Sequence, residues 1–192
     1  MTTQAGLSTP HRSDRLEDEP VVVPHFLVPE IRSDHAGETG AVWIYIGMAW
    51  ASRHAPVKQM AVEHGATERE HLRLIEDMLP KSQRSVLLPL WRISGFILGA
   101  LPALVGPRAV QITVDAVETF VDHHYQAQID TLKGKSEFAP LRNLLIACQA
   151  DEIAHRDEAR AGHGGHVGMF GRLWSWIVGS GSAAAVVLAK RI

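Results

Sequence analysis

The chain has 192 residues, 46% of them hydrophobic and 21% charged, with a formal net charge of -2. That length suits one domain with a core of its own, and a near-neutral balance without a long basic stripe excludes nucleic acid as the main partner. A lone Cys148 excludes an internal disulfide, fits a reducing compartment, and reads as a small buried apolar residue in a helix.

Residues 1–29 carry Pro10, Pro20, Pro24, Pro29 and the acidic run Glu17-Asp18-Glu19, and no apolar stretch of signal-peptide length. This composition predicts a disordered amino-terminal tail, too acidic for a mitochondrial presequence, and favours a bacterial cytoplasmic setting. From residue 30 to 192 proline and glycine punctuate about six helical segments, and sustained period-two alternation is missing, so the predicted class is all-α. The first segment opens at Pro29-Glu30, carries Glu38 and runs to Arg53; Pro56 opens the second, which carries Glu68 and His71 and stops at Pro80. Ser85 to Gly106 is nearly all apolar and holds no candidate ligand. Gly106-Pro107 opens the fourth segment, with Glu118, which ends near Gly134. Ser136 is a candidate cap for the fifth, which carries Glu152 and His155 and stops at Gly162. A glycine-rich turn leads to a closing apolar segment, Phe170 to Lys190.

Two half-sites of one design lie in this order. Glu38 is followed thirty residues on by Glu68-Arg69-Glu70-His71, and Glu118 is followed thirty-four on by Glu152-Ile153-Ala154-His155. Residues three apart share a helix face, so each Glu-x-x-His aims a carboxylate and an imidazole at one point. About one such match is expected by chance in a chain this rich in histidine; the information is in the repeated order and the matched spacing. Gaps of this size leave roughly 22 Å of helix on each side of a short turn, so both halves of a hairpin bring their ligands to the same height. Two facing hairpins then converge four carboxylates and two imidazoles on one internal site. This is the inventory of the ferritin-like di-iron and di-manganese bundles, with donors suited to Fe or Mn. The predicted fold is accordingly a ferritin-like four-helix bundle with a long apolar crossover helix and an additional apolar carboxy-terminal helix.

Tyr45 and Tyr125, the chain's two tyrosines, each follow their lone glutamate by seven residues, on the same helix face. They read either as core packing or as hydrogen-bond donors or redox groups beside the metals. Asp34, Asp115 and Asp122 lie close to the lone glutamates, and Asp151 is the first choice for the carboxylate that orients a ligating imidazole. His123 and His124 fall about 120 to 140° off the face of Glu118 and are not ligand candidates, though His124 remains a candidate surface for a reductant. His163-Gly164-Gly165-His166 lacks the further ligands of a metal clip. No strand precedes a Gly-x-Gly-x-x-Gly, so the electrons come from an external reductant or the substrate.

The runs Asp34-His35-Ala36-Gly37-Glu38-Thr39-Gly40-Ala41, Ile44-Tyr45-Ile46-Gly47, Glu68-Arg69-Glu70-His71-Leu72, Val117-Glu118, His123-His124-Tyr125 and Asp151-Glu152-Ile153-Ala154-His155 together resemble the demethoxyubiquinone hydroxylase family of ubiquinone biosynthesis. The resemblance covers residues 30–192 and includes Gly95-Phe96-Ile97-Leu98-Gly99 and the closing apolar helix. It implies a membrane-associated di-iron monooxygenase that uses O2 to hydroxylate the ring of a polyprenyl methoxy-methyl-benzoquinol. It implies Glu38, Glu68, His71, Glu118, Glu152 and His155 as ligands of two Fe ions, with Glu68 and Glu152 suited to bridging, and His124 and Tyr125 as a pair for electron delivery. NADH is a candidate source of the electrons; candidate partners are other ubiquinone-biosynthesis proteins and a second copy of the chain. The chain departs from the family pattern at Met48, where glutamine is usual, at Leu101-Pro102-Ala103, and in its acidic tail; the first two are expected to border the substrate channel.

The rival from another class is a ferritin-like iron-handling or peroxide-scavenging protein with no organic substrate, which would share the ligands but has no need of two apolar helices. A scaffold with a vestigial site is disfavoured because all six ligands are present. Val86 to Val105 and Leu173 to Ala189 are nearly long enough to span a bilayer, but Arg92 interrupts the first while serines and glycines dilute the second. Both are therefore expected at the lipid interface, with Trp91, Trp174 and Trp176 at headgroup depth and Lys190-Arg191 near anionic lipid, on the cytoplasmic face of a bacterial inner membrane.

Overall fold

A computed structural model describes residues 21–192. It contains six α-helices, α1 (Val28–Ala51), α2 (Ala55–Met78), α3 (Leu88–Val105), α4 (Pro107–Thr131), α5 (Ala139–His163) and α6 (Met169–Ala189), and no strand among the described residues. Pro29, Pro56, Pro89, Pro107 and Pro140 sit in the first turns of α1 to α5, where a missing N–H costs nothing and the fixed φ is already helical. Leu79, ahead of Pro80, is extended at φ -110, ψ 107, which stops α2. Gly164 closes α5 at φ 72, a conformation that favours glycine.

The expected segments are all present, with boundaries displaced by a few residues. Ser136 does not cap α5: Ser136–Phe138 form a 3-10 turn, and the α-helix starts at Ala139 with Pro140 behind it. Of the expected tail, residues 1–20 lie outside the described residues. His25–Leu27 form a 3-10 turn, and Leu27, 2% exposed, packs in the core with Ile31, so the packed core reaches into the segment expected as tail. Proline content hid this apolar stretch, in which Val21, Val23 and Val28 also pack against the same cluster.

The helices form the predicted ferritin-like bundle. α1 pairs with α2 and α4 with α5 as hairpins, α3 crosses between them along α1, and α6 lies along α4 and touches α1. Two apolar clusters fill the two ends of the bundle. One joins the second half of α1 (Ile44, Met48) to the start of α2 (Val57, Met60), the start of α4 (Val110, Val114) and the end of α5 (Ala159). The other joins Leu27 and Ile31 to Ile75, Ile129, Leu141 and Leu145. On α1, α2, α4 and α5 the candidate ligands fall between these clusters, at mid-height. Arg32 ties the outer layer to the bundle: its Nε donates to Gln83 O at 2.6 Å and its Nη1 to Lys190 O at 3.2 Å, while Lys190 pairs with Glu30.

Glycine brings α3 hard against α1. A Cβ at Gly99 would lie 1.9 Å from Ile44 O, and one at Gly95 would lie 2.3 Å from Gly40 O, both backbone atoms that cannot yield without moving a helix. Gly99→Ala should therefore separate the two helices and lower stability by about 1–3 kcal/mol, as overpacking does. Gly179→Ala on α6, where an added Cβ meets nothing within 4 Å, should raise stability by about 0.5–1 kcal/mol. Thermal or urea unfolding of the two variants reads the contrast; equal and small effects would show that the close approach does not hold α3 in place.

Candidate metal centre

Glu38 of α1, Glu68 and His71 of α2, Glu118 of α4, and Glu152 and His155 of α5 are all buried, none more than 7% exposed. One donor atom from each of Glu38, Glu68, His71 and Glu152 lies within 4.8 Å of the others, and the same holds for Glu68, Glu118, Glu152 and His155. Glu68 and Glu152 belong to both groups, so these two side chains are shared between the two candidate cation positions. His71 Nδ1 lies 3.0 Å from Glu152 Oε1 and 3.8 Å from Glu68 Oε2, and His155 Nδ1 lies 3.3 Å from Glu68 Oε1. Both imidazoles thus turn Nδ1 inward.

The fit to a pair of cations can be judged on the polar atoms left over. Glu68 Oε1, both Glu152 oxygens and the Nδ1 atoms of His71 and His155 are buried without a hydrogen-bond partner. Orphaned polar atoms cost about 1–3 kcal/mol each, more when charged, and here they face one another, so cations are what would compensate them. Hard carboxylate oxygen with borderline imidazole nitrogen suits Fe or Mn. Electrostatics points the same way. Burial first, and then the charge of Glu68, push Glu38 and Glu152 up to about 8. Glu68 and Glu118 move in the same direction, burial again leading. Burial would lower His71, but the carboxylates of Asp151, Glu152 and Glu68 outweigh it and raise it well above its ordinary range. His155 goes the other way, to about 4, through burial and then the facing His71.

Around this layer the tyrosines make a crossed pair. Tyr45 donates to Glu118 at 2.8 Å and Tyr125 donates to Glu38 at 2.6 Å, so each phenol serves the lone glutamate of the opposite hairpin, not the one on its own helix. Asp151 faces His71 Nε2 at 3.2 Å. It thus orients the imidazole of the other hairpin and not that of His155, which lies one turn along its own helix. His155 instead stacks on His64, ring centroids 3.9 Å apart at 13°. His64 escaped the sequence analysis. It lies 3.4 Å from Tyr45 Oη and 3.0 Å from Glu158 Oε2, and its place four residues before Glu68, on the same helix face, was the available signal.

The remaining candidates sort as follows. Asp34 pairs with His124, Asp115 with Arg160 and His163, and Asp122 with Arg156 and Gln149. His123 is exposed, and neither His163 nor His166 joins a cluster able to hold a metal among the described residues. Cys148 is buried in the second apolar cluster, and burial pushes its thiol up to about 12, an inert apolar residue as expected.

A cavity of about 550 Å³ leads from the outer helices to this layer. Glu38, Glu68, Glu118 and Glu152 line its inner end; its walls are apolar and come from α1, α3, α4 and α6, including Trp91, Leu98, Leu101, Trp174 and Ile177. Of Leu101-Pro102-Ala103, Leu101 borders the cavity as expected, while Pro102 and Ala103 are buried and do not. Met48 does not: it is fully buried in the first apolar cluster, because it lies on the face of α1 turned toward α2 and α4.

The chain is 31% identical over 185 residues to a 3-demethoxyubiquinol 3-hydroxylase of Rhodospirillum rubrum, covering 93% of this chain and 84% of the relative. It is 30% identical over 166 residues to the human NADPH-dependent 3-demethoxyubiquinone 3-hydroxylase, mitochondrial (84% and 76%), and 32% identical over 151 residues to the 5-demethoxyubiquinone hydroxylase, mitochondrial, of Saccharomyces cerevisiae (70% and 65%). The family described as ubiquinone biosynthesis protein COQ7 matches residues 25–189, a span that takes in all six helices and all six buried side chains of the centre. The chain belongs to the ubiquinone biosynthesis protein COQ7 family.

Proposed function

We propose that this chain is an O2-dependent di-iron monooxygenase that hydroxylates the ring of a polyprenyl methoxy-methyl-benzoquinol, a demethoxyubiquinol, in ubiquinone biosynthesis. The observation that carries this reading is the apolar cavity that ends on four carboxylates. Overall, a ring C–H, O2, two electrons and two protons give a ring C–OH and water. Glu38, Glu68, His71, Glu118, Glu152 and His155 would hold two irons, which supply the activation of O2 when bound. The chain's own residues do the rest. Glu68 and Glu152 tie the two halves of the site together. Tyr45 and Tyr125 hold Glu118 and Glu38 in one orientation through single hydrogen bonds. Asp151 fixes the ring of His71, and the apolar walls keep bulk water from the reacting carbon. The electrons come from an external reductant; relatives are named for NADPH, and a nicotinamide is the donor class expected here. A ferritin-like iron-handling protein would share the six side chains but has no use for the cavity.

The same cavity supports a place at a lipid surface. α3 and α6 are long and apolar enough to cross a membrane. On α3, Ile93, Ile97, Leu101 and Leu104 form an exposed apolar stripe, and on α6 Phe170, Leu173, Trp176 and Ile177 are exposed. Both stripes flank the cavity, so a water-insoluble tail stays in lipid while its ring enters the bundle. The anchors differ in part from expectation. Trp176 faces outward, but Trp91 and Trp174 line the cavity, Trp174 donating to Thr113 Oγ1 at 2.8 Å, and Lys190 is engaged with Glu30, which leaves Arg191 exposed. The location proposed is peripheral, on the cytoplasmic face of a bacterial inner membrane.

Glu152→Ala or His155→Ala should lose at least one of two bound irons and at least about a hundred-fold in turnover, since even outer partners of metal ligands cost 10–100-fold. Variants that kept two irons and the parent's turnover would overturn the assignment. At the level of the cell, a deletion strain should accumulate the demethoxy quinone in lipid extracts; its absence would favour the iron-handling alternative.

The raised carboxylates predict a pH dependence. Glu38 and Glu152, at about 8 in the fold and near 4.5 when unfolded, keep protons that the unfolded chain releases, so their contribution to stability is lost as pH rises toward 8. His71, also raised, has the same sign above its ordinary range, while His155, lowered to about 4, has the opposite sign through its ordinary range and adds little above about pH 7. The melting temperature of chelator-treated protein should therefore fall from pH 6.5 to 8. Saturating Mn(II) should remove or reverse that fall, because metal binding grows stronger as the ligands lose protons. Parallel curves with and without Mn(II) would place the metal elsewhere.

Membrane attachment is tested by co-sedimentation with vesicles of anionic phospholipid. Ile97→Glu combined with Trp176→Glu should reduce binding by about ten-fold or more, with iron content unchanged, since each charge opposes insertion of the apolar surface. Unaltered vesicle binding would remove this face from the proposal.

A further inference from the structure

α2 and α5 face one another along three matched rungs. His64, Glu68 and His71 lie on one face of α2 at intervals of four and three, and Asp151, His155 and Glu158 lie on one face of α5 at the same intervals. The helices run antiparallel, so each rung pairs an imidazole with a carboxylate. His64 Nε2 lies 3.0 Å from Glu158 Oε2, His155 Nδ1 3.3 Å from Glu68 Oε1, and His71 Nε2 3.2 Å from Asp151 Oδ2. The middle rung belongs to the carboxylate layer. The outer two reach solvent, since the side chains of Glu158 and Asp151 are 60% and 45% exposed.

This polar seam is unlike the way in from the other side. α3 and α6 cover the face of the bundle made by α1 and α4, and the cavity beneath them has apolar walls. A hydrated divalent cation there would shed water against hydrocarbon, a cost that no donor offsets before the layer is reached. Between α2 and α5, oxygen and nitrogen donors instead stand in series from solvent to the interior. Behind Glu158, His64 turns Nδ1 toward Tyr45 Oη at 3.4 Å, and its ring stacks on His155 with centroids 3.9 Å apart. Behind Asp151, His71 turns Nδ1 toward Glu152 Oε1 at 3.0 Å. The Nδ1 atoms of His71 and His155, residues only 3% and 7% exposed, lack hydrogen-bond partners, as does Glu68 Oε1. The seam therefore leads to the atoms that a cation would compensate.

Resting on the metal-centre reading above, we infer that the seam between α2 and α5 is the entrance for the divalent cations of that centre, with Glu158 as the outer collector and His64 as the relay behind it. Exposed carboxylate charge at the mouth of the seam raises the local concentration of cations and speeds their capture. Glu158, His64 and then the Glu68 and His155 pair replace the waters of the ion a few at a time, so the full desolvation cost is met at no single point. The two faces of the bundle thus divide the traffic by chemistry: ions pass between α2 and α5, and apolar molecules between α3 and α6.

The test is the rate of Co(II) uptake by the chelator-treated full chain, followed by stopped-flow quenching of tryptophan fluorescence, with the Co(II) stoichiometry measured at equilibrium. Trp91 and Trp174 lie in the cavity wall and report on the layer at its inner end. At low ionic strength Glu158→Gln should load at least about five-fold more slowly than the parent, the gap closing as salt screens the charge, and reach the same stoichiometry. His64→Phe, which keeps a ring against His155 and removes both nitrogens, should also load slowly. Glu158→Asp keeps the charge and should stay within about two-fold of the parent, which separates capture by charge from a latch between helices. Glu137→Gln, an exposed carboxylate in the turn before α5 and outside the seam, should load at the parent's rate. Three results would each overturn the inference and leave the metal centre standing: loading of Glu158→Gln at or above the parent's rate, equal slowing in Glu158→Asp and Glu158→Gln, or slowing in the cavity-wall variant Leu98→Trp in place of Glu158→Gln. Glu158 is a surface residue, so its variants decide the matter even if His64→Phe does not fold. Failure of the parent to bind Co(II) at all would overturn both readings together.

Discussion

Four carboxylates and two imidazoles share one buried layer, and the rest of the molecule is arranged around the cost of keeping them there. Isolated buried charge is prohibitive, so the layer has three means of lowering it: protons held on the glutamates, the phenols and Asp151 that hydrogen-bond its members, and the cations its inward nitrogen and oxygen atoms are shaped to receive. The two apolar clusters above and below supply the burial that holds four helices in register against mutual repulsion of the glutamates. Without that packing on both sides the layer would open to water and lose its orientation.

The two hairpins repeat in sequence but not in surroundings. Each lone glutamate receives a phenol from the opposite hairpin, which straps α1 to α4 across the site where the two helices stand apart. The imidazoles are treated differently: His71 leans on Asp151, while His155 stacks on His64, which in turn reaches Glu158 near the surface. That difference drives one imidazole up and the other down in proton affinity, so the two halves of the layer are chemically unequal even though their residue types match.

Access to the centre follows from which helices are packed by glycine and which are not. Gly95 and Gly99 press α3 onto the backbone of α1, whereas α6 contacts α4 mainly through larger side chains such as Val178 and Trp174. Between these two outer helices the cavity descends to the carboxylates. The outward apolar stripes of α3 and α6 lie beside it, and the carboxylate layer closes its inner end.

The helices, their order and the convergence of the six buried side chains on one layer were legible in the sequence because they rest on local rules: proline in first turns, three-residue spacing on a helix face, and a repeated interval that sets equal heights. The inert Cys148 and the apolar character of α3 and α6 were legible for the same reason. What contacts cross from one hairpin to the other was not. The spacing of seven placed Tyr45 and Tyr125 near the centre, but only packing assigned each to the other hairpin's glutamate, sent Asp151 to His71, and brought His64 onto His155. Composition likewise marked Trp174 and Lys190 as lipid-facing, and the tertiary structure turned the first inward and paired the second with Glu30. Helical periodicity fixes the angle of a residue on its own cylinder, whereas its partner depends on how the cylinders rotate against one another, and that rotation is decided by close contacts such as Gly99 on Ile44 that no single segment encodes.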